Sequence, residues 1–379
     1  MGKCVGILTA GGDSPGLNAA IRAVGRVLAR NNCRLIGFKD GFEGIAFDRC
    51  TELDETTLSN VLTVGGTILR TSRHKPHKMP VGKKVMDMTG AIVENYHRHQ
   101  LSALICIGGG GTHKSALLLK KAGLNIVTIP KTIDNDLGGS DSCIGFDTAL
   151  NVATEAIDSL HSTASSHKRI MLVEVMGHKT GWLTLGSAIA GGADVVLIPE
   201  IPYNFKSVAD ALKSRSRAGK LFSIVPVAEG AIDEDTFVRI KKLEQEISLC
   251  SDKAKKSSLK EELSKLTAYN PARIFDLARR LEEATQLETR VTILGYLQRS
   301  GTPSCFDRLL AAQLGSCAAQ AVLRGESGCM AAYENGSCRM IPIEEVAGVR
   351  KELSLDHPWV KNARELGISF GEAVNTTGK

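Results

Sequence analysis

Short, almost uninterrupted apolar runs alternate with helical patterns along most of this 379-residue chain. A strand that is apolar at nearly every position is buried on both faces, as strands are in parallel sheets covered by helices. The runs that predict strands are Cys4–Leu8, Arg34–Phe38, Ala103–Ile107, Asn125–Ile129, Ile170–Val175, Val195–Ile198, Phe222–Val227 and Val291–Leu294. Helical patterns between them include Asn18–Arg30, Ser115–Ala122 and Ala149–His161. The sequence therefore predicts an α/β fold of helical layers and mainly parallel sheets.

Length, charge and cysteine content limit the organisation and the partners of the chain. A chain of this length exceeds one ordinary hydrophobic core, so two domains are expected. The net charge of +6 is dispersed along the chain, which favours an anionic small substrate over nucleic acid. The ten cysteines form no C-x-x-C pair, and neither a secretory leader nor an apolar run of about 18 residues is recognised. We expect a cytoplasmic protein with reduced thiols and no membrane span.

Two glycine-rich segments follow predicted strands and precede predicted helices, the position at which open α/β sheets bind ligands. The first is Gly11-Gly-Asp-Ser-Pro-Gly16, and the second is the run of four glycines from Gly108 to Gly111, which Thr112 follows. On its own, the first segment fits a tight turn as well as a phosphate site, and it lacks the ending of a Walker P-loop. Four consecutive glycines cost entropy and have no packing value, so we expect the second backbone to lie against phosphates.

The heptad Pro130-Lys-Thr-Ile-Asp-Asn-Asp136 places a cation, a hydroxyl and two carboxylates after a predicted strand. Asp134 and Asp136 would share a face if this segment is extended. One carboxylate could take the proton of an attacking hydroxyl while the other helps to hold a divalent ion. A polar loop with an Asx-turn is the alternative interpretation of the pair.

Several arginines stand near the ends of predicted strands, namely Arg73, Arg169, Arg290 and Arg299. A guanidinium group pairs with phosphate through two parallel hydrogen bonds, so such a set suits a phosphorylated substrate. Each of these arginines taken alone is more often a surface residue.

Together these segments resemble the phosphofructokinase family over roughly residues 3–325, apart from a charged insert. The resemblance rests on GGDSPGLNAAIR from Gly11, PKTIDND from Pro130, SHKR followed by VEVMG, and LGYLQRSGTP from Leu294, in the family's order. The similar branch contains both ATP users and pyrophosphate users. The resemblance implies two similar three-layer α/β domains with the active site in the cleft between them. It also implies phosphorylation of fructose 6-phosphate at the 1-hydroxyl to give fructose 1,6-bisphosphate in glycolysis, with Mg²⁺ as the cofactor.

The domains implied by the resemblance are each built from two stretches of the chain. Residues 1–145 and about 298–348 would bind the phosphoryl donor, and residues 146–297 and about 349–379 would bind the sugar phosphate. Between about 233 and 288 the composition turns to Lys, Glu, Leu and Ser, which predicts a helical insert with a solvated charged face.

Individual roles follow from the resemblance as well. Asp134 would be the general base, with Lys131, Thr132, Arg169 and His178 completing the catalytic set. The residues implied for the donor are Gly11, Arg73, His74, Gly109, Gly110, Gly111 and Thr112. Those implied for the sugar phosphate are Thr132, Ile133, Asp134, Arg169, Met176, Gly177, His178, Glu229, Arg290, Tyr296, Leu297, Gln298 and Arg299. In the family Arg169 and Arg290 come from a neighbouring subunit, which implies a homodimer or homotetramer with shared sites.

Gly111 and Lys131 indicate different donors. ATP users of the family have glycine at the position of Gly111, where a carboxylate would fill the space of the nucleotide and repel it. Lysine at the position of Lys131 is typical of pyrophosphate users, although in this branch it also accompanies ATP use. Gly111 therefore decides for ATP, and a pyrophosphate-dependent phosphotransferase is the alternative. Phe42 could offer an aromatic face to adenine or belong to the core.

Three positions depart from the family's pattern. Gly110 replaces an aspartate that helps to hold the metal, which leaves Asp13 and Asp136 as candidate ligands. His178 replaces an arginine, and histidine is only partly charged at neutral pH. Arg70 stands beside the donor site where glycine is common. A kinase of another sugar phosphate and a non-catalytic regulatory subunit are therefore further alternatives.

Overall fold

The structure is a computed structural model that describes residues 3–373. The chain divides into two compact units, of which the first runs to Ala149 and resumes over Arg299–Lys351. The second unit covers Leu150–Gln298 and resumes at Glu352. The predicted boundaries, 145 and 298, lie next to these divisions. The parts of the predicted domains that fall on residues 1–2 and 374–379 lie outside the described residues.

Strands and helices alternate along much of the chain. The strands are β1 (Cys4–Ala10), β2 (Arg34–Phe38), β3 (Cys50–Glu52), β4 (Met79–Val81), β5 (Lys84–Met86), β6 (Leu101–Gly108), β7 (Ile126–Pro130), β8 (Ile170–Val175), β9 (Ser223–Ala228), β10 (Thr289–Ile293), β11 (Cys329–Glu334) and β12 (Ser337–Pro342). The helices are α1 (Leu17–Arg30), α2 (Phe42–Ala46), α3 (Thr89–Arg98), α4 (Gly110–Lys121), α5 (Phe146–His167), α6 (Trp182–Ala190), α7 (Phe205–Arg217), α8 (Glu234–Leu249), α9 (Lys253–Thr267), α10 (Ala272–Thr285), α11 (Cys305–Arg324), α12 (Ile343–Val346) and α13 (Pro358–Glu365). A short 3₁₀ helix covers Gly295–Arg299.

The first unit is built on a seven-stranded sheet with the order β12-β11-β7-β6-β1-β2-β3. Its inner strands are parallel, and the two edge strands β3 and β12 pair antiparallel with their neighbours. Alternate side chains of β1 enter different hydrophobic clusters, because successive residues of a strand point to opposite faces. One cluster includes α1 and α11, and the other includes α2, α3 and α4. The predicted α/β fold with a mainly parallel sheet is confirmed.

The second unit contains the three-stranded parallel sheet β10-β8-β9. The prediction of a strand at Val195–Ile198 is wrong, because this buried segment forms only isolated bridges. Val195 pairs with Ser369 on one side, whereas Leu197 pairs with Val227 on the other. Apolar periodicity identified a buried extended segment, but a strand also needs consecutive pairing with one neighbour.

The region predicted as a charged insert contains α8, α9 and α10. Every residue of α9 is at least partly exposed, as expected for a solvated charged face. Asp233 and Asp252 cap α8 and α9 by accepting backbone N–H groups of the first turn. Within the described part of the chain, no helix has the length and apolar character needed to cross a bilayer.

Candidate active site

A pocket of about 310 Å³ lies in the first unit, beyond the carboxyl ends of β1, β6 and β7. These strands are parallel neighbours, so the segments that follow them meet at one edge of the sheet. The pocket brings together every residue that was assigned to the donor, namely Gly11, Arg73, His74, Gly109, Gly110, Gly111 and Thr112. It also contains Lys131, Thr132, Ile133, Asp134, Asp136 and Arg299.

Glycine is required for packing at one end of the four-glycine run, whereas the other end faces open space. A Cβ atom on Gly108 would lie 2.2 Å from Thr112 Oγ1 and 2.6 Å from the carbonyl oxygen of Ala10, so packing requires glycine there. The expectation that the run has no packing value is therefore wrong for Gly108. A Cβ atom on Gly110 or Gly111 would meet nothing within 4 Å. These two glycines form the start of α4, where unpaired N–H groups and the helix dipole attract an anion.

The first glycine-rich segment organises the pocket through its backbone. The N–H of Gly11 donates to the carbonyl oxygen of Ser72 at 2.9 Å, and Thr71 Oγ1 donates to the carbonyl oxygen of Gly11 at 2.8 Å. These bonds tie residues 71–73 to the end of β1 and bring Arg73 to the pocket. Because the N–H of Gly11 is used in this way, it is not available to a phosphate.

Lys131 is a buried cation in this pocket, with 3% of its surface exposed. Its backbone N–H donates to the carbonyl oxygen of Gly108 at 3.0 Å, and its Nζ donates to the carbonyl oxygen of Gly12. Burial lowers the pKa of Lys131 to about 8, the positive charge of Arg299 acts in the same direction, and Asp134 opposes the change. Lys131 is therefore charged at neutral pH but loses its proton far below the usual range of lysine.

The segment after Lys131 presents its polar side chains on one side. Thr132, Asp134 and Asp136 are partly exposed and line the pocket, whereas Ile133 and Asn135 between them are buried. The N–H of Asp134 donates to Thr132 Oγ1 at 3.1 Å, which fixes the turn that carries the carboxylate. The prediction placed Asp134 and Asp136 on one face of an extended segment, but the segment is a turn in which Asn135 has a φ of +50°, and the turn brings both carboxylates to the pocket.

The pocket contains charges of both signs. The guanidinium of Arg299 lies 3.3 Å from the point that a Cβ atom of Gly12 would occupy, so glycine makes room for this cation. Asp13 also lines the pocket, as does Phe42 at the start of α2. Ala10, Gly12, Ser72, Lys75 and Ser115 also line the pocket and were missed, although the neighbourhood of Arg73 and His74 in the sequence could have indicated Lys75.

The residues assigned to the sugar phosphate in the second unit form two groups. One group follows β8 and β9, where the N–H of His178 donates to Glu229 Oε1 at 2.8 Å. Gly177 has a φ of +144°, and a Cβ atom there would lie 2.6 Å from the carbonyl oxygen of Thr180. The N–H of Met176 donates to the side-chain oxygen of Gln298 at 3.3 Å. Tyr296 and Leu297, also assigned to this site, are exposed on the 3₁₀ helix.

Arg169 and Arg290 form the second group, which lies at the starts of β8 and β10, whereas the first group follows the ends of β8 and β9. Arg169 precedes β8 and Arg290 lies near the start of β10, and β8 is six residues or about 20 Å long. Both arginines pair with Glu288, whose carboxylate accepts hydrogen bonds from Arg169 Nε and Nη2 at 2.7 and 3.0 Å. The hydrogen bond from Arg169 is the main reason that the pKa of Glu288 lies below its usual value. Within this chain, Arg169 and Arg290 are thus separated from His178, although all three were assigned to the sugar phosphate. The sequence analysis did not identify Glu288, the partner of both arginines.

Arg70 has a φ of +57°, in the left-handed region that favours glycine. This explains why glycine is common at that position. The side chain of Arg70 is exposed and is not part of the described pocket lining.

Comparison with known proteins gives one consistent result. A family model described as Phosphofructokinase matches residues 4–322. The chain is 50% identical over 373 residues to the ATP-dependent 6-phosphofructokinase of Propionibacterium freudenreichii, which covers 98% of this chain and 100% of that protein. It is 47% identical over 379 residues to the ATP-dependent 6-phosphofructokinase of Spirochaeta thermophila, with 98% of both chains covered. The solved structure of Pichia pastoris phosphofructokinase in the T-state matches with a TM-score of 0.75 and 32% identity, covering 92% of this chain and 35% of that chain.

Proposed function

The chain belongs to the phosphofructokinase family, and we propose that it transfers a phosphoryl group from ATP to the 1-hydroxyl of fructose 6-phosphate. The product is fructose 1,6-bisphosphate, and the reaction is a step of glycolysis. The observation that carries the proposal is the content of one pocket, which is lined by the carboxylate of Asp134, the buried cation of Lys131 and the open start of α4.

The width of the pocket supports ATP as the donor. Asp134 follows β7 and Phe42 follows β2, and the sheet order places three strand spacings, or about 14 Å, between these strands. Pyrophosphate is much shorter than this distance and would occupy only the part near β7 and β6. A nucleoside triphosphate extends across β1 to β2, and the open space at Gly111 leaves room for it.

The transfer needs positioning and neutralisation of charge rather than covalent chemistry on the protein. Asp134 accepts the proton of the attacking hydroxyl, with its turn fixed by Thr132. Lys131, Arg73 and the N–H groups at the start of α4 stabilise the negative charge of the donor and of the transferred group.

Mg²⁺ fits the carboxylates of this pocket. The ion prefers oxygen ligands, and the partly exposed Asp136 and the exposed Asp13 both line the pocket. Because Gly110 contributes no carboxylate, these two residues and the phosphate oxygens of the donor would hold the ion. When bound, Mg²⁺ neutralises charge on the phosphates.

We also propose that the working enzyme is a homodimer or homotetramer with shared sites. Arg169 and His178 lie at opposite ends of β8, about 20 Å apart along the strand, so one sugar phosphate cannot contact both in a single chain. A neighbouring subunit would then supply Arg169 and Arg290 to bind the phosphate of the sugar. Sedimentation of the active protein tests this proposal, and an active monomer would contradict it.

The proposed reaction is tested with purified protein, fructose 6-phosphate and Mg²⁺, with ATP and pyrophosphate in parallel assays. We expect turnover with ATP, and Asp134→Asn should lose at least a hundredfold in kcat while still binding fructose 6-phosphate. Asp141→Asn is the matched control, because Asp141 is exposed and an asparagine oxygen can still accept the N–H of Asn335. Turnover with pyrophosphate alone would assign the alternative donor. Absence of turnover with both would favour another acceptor or a regulatory subunit.

A further inference from the structure

A chain of charged contacts ends at the β2 side of the donor pocket. Arg49 Nη2 lies 2.6 Å from Glu43 Oε1, and Glu43 Oε2 lies 2.7 Å from His74 Nδ1. We call these three residues the Arg49–Glu43–His74 relay. His74 lines the pocket, whereas Glu43 and Arg49 stand outside its lining in the described part of the chain. Glu43 is therefore placed to act on a ligand only through His74.

The relay fixes which ring nitrogen of His74 can reach a ligand. Partial burial alone would raise the pKa of Glu43, but hydrogen bonds from Arg49 and His74 outweigh burial and lower it. An ionised carboxylate can only accept hydrogen bonds, so His74 must donate through Nδ1. Among residues 3–373, no hydrogen bond engages Nε2 of His74, which leaves this atom for a ligand in the pocket.

Backbone contacts hold His74 at the end of the pocket that is remote from the general base. Ser72 Oγ donates to the carbonyl oxygen of Asp40 at 2.8 Å, which ties residues 72–74 to the turn that follows β2. Phe42 in the same corner also lines the pocket. Since residues 71–73 are also tied to the end of β1, His74 lies two to three strand spacings, or about 10–14 Å, from the strand that Asp134 follows, so the group near His74 is not the one transferred.

We propose that the relay orients His74 against the nucleoside part of the donor, which makes Glu43 a positioning residue for the selection of nucleotides over bare polyphosphates. The inference rests on the proposed function, because it takes ATP as the donor. A ring that is already oriented loses less side-chain freedom when the nucleotide binds. A donor without a nucleoside does not reach this corner and gains nothing from the relay.

The test compares ADP with pyrophosphate, since the two differ only by the adenosine group. Their dissociation constants are measured by calorimetry with Mg²⁺ on the full chain and on Glu43→Gln. The variant should weaken ADP binding about five- to tenfold and change pyrophosphate binding less than twofold. The KM for ATP should rise by the same factor, while kcat and the KM for fructose 6-phosphate remain within twofold.

A second variant separates positioning from general structure. If Glu43 acts through His74, then Glu43→Gln should have no further effect on ADP binding in a chain that already carries His74→Ala. Additive losses in the double variant would overturn the proposal.

The chain offers a control in a second cluster that also joins an arginine, a carboxylate and a histidine. Asp48 Oδ1 lies 2.5 Å from His99 Nε2 and Asp48 Oδ2 lies 3.3 Å from Arg98 Nη1, and none of the three residues is in the described pocket lining. Asp48→Asn should therefore leave ADP binding unchanged. Equal weakening of ADP and pyrophosphate by Glu43→Gln, or no weakening of either, would overturn the relay alone. A wild-type chain that binds no ADP would overturn the proposed function together with the relay.

Discussion

Lys131 should limit the activity of this protein at alkaline pH. The residue is buried in the lining of the donor pocket, and its pKa is lowered to about 8, chiefly by burial. The cation is present below this pH and is lost above it. Because kcat/KM reports the free enzyme, kcat/KM for ATP should fall as the pH rises through 8.

The size of the effect follows from the pKa. One pH unit above the pKa about one lysine in eleven is charged, so kcat/KM should be about tenfold lower at pH 9 than on the plateau near pH 7. The substrates do not add to this slope, because phosphate monoesters have a second pKa near 6 and are fully ionised there. The assay is a coupled measurement of initial rates at low ATP between pH 6.5 and 9.5.

The titration of Lys131 does not itself destabilise the folded chain, whereas buried thiols such as Cys106 and Cys143, whose pKa burial raises, do so above the usual pKa of a thiol, so the folded fraction is measured at each pH. Between pH 8 and 10.5 the unfolded chain keeps the proton on Lys131 while the folded chain loses it, so the free energy of unfolding rises with pH, by about 3 kcal/mol at most. Lys131→Met should have a low rate without the step near pH 8. A constant kcat/KM up to pH 9.5 in the wild type, or an equal decline in Lys131→Met, would refute the reasoning.

Three further predictions concern other parts of the structure. Burial lowers the pKa of His113 to about 4, so between pH 6.5 and 4 the free energy of unfolding of the wild type, measured by urea denaturation, should fall relative to that of His113→Gln by up to about 3 kcal/mol, and a constant difference would contradict this. Glu288→Gln should lower the KM for fructose 6-phosphate about two- to fivefold because it releases paired arginines, and a higher KM would mean that Glu288 orients them. Gly108→Ala should cost about 1–3 kcal/mol in thermal unfolding through its clash with Thr112, whereas Gly110→Ala should be neutral or stabilising; equal effects would contradict the packing argument.

The strands around the donor pocket could be predicted because a strand that is buried on both faces is apolar at nearly every position. β1, β2 and β8 begin at the predicted residue, and the glycine-rich segments follow β1 and β6 as expected. Val195–Ile198 is also a continuous apolar run but is not a strand, since strand pairing depends on partners that lie far away along the chain. A local pattern therefore indicates burial more securely than it indicates a hydrogen-bonded neighbour.

The side-chain pairs behind the site were not predictable in the same way. Glu43 and His74 are 31 residues apart, and Arg169 and Glu288 are 119 apart, so only the path of the loops brings them together. The separation of Arg169 from His178 could have been recognised from the sequence, since one precedes the run of β8 and the other follows it. Gly108 and Gly110 are the same residue type in one run, and only packing distinguishes them.

The donor pocket combines a missing carboxylate with a buried cation, and the two features have a common consequence. Gly110 contributes no ligand to a metal, while Lys131 is held in place by the carbonyl oxygen of Gly12. Under the proposed function, part of the neutralisation that phosphoryl transfer requires would come from this fixed cation rather than from a bound ion. Such a cation needs no reorganisation when the donor arrives, but the burial that fixes Lys131 also lowers its pKa to about 8. The burial that holds Lys131 in the pocket is therefore expected to set the upper pH limit at which the site can work.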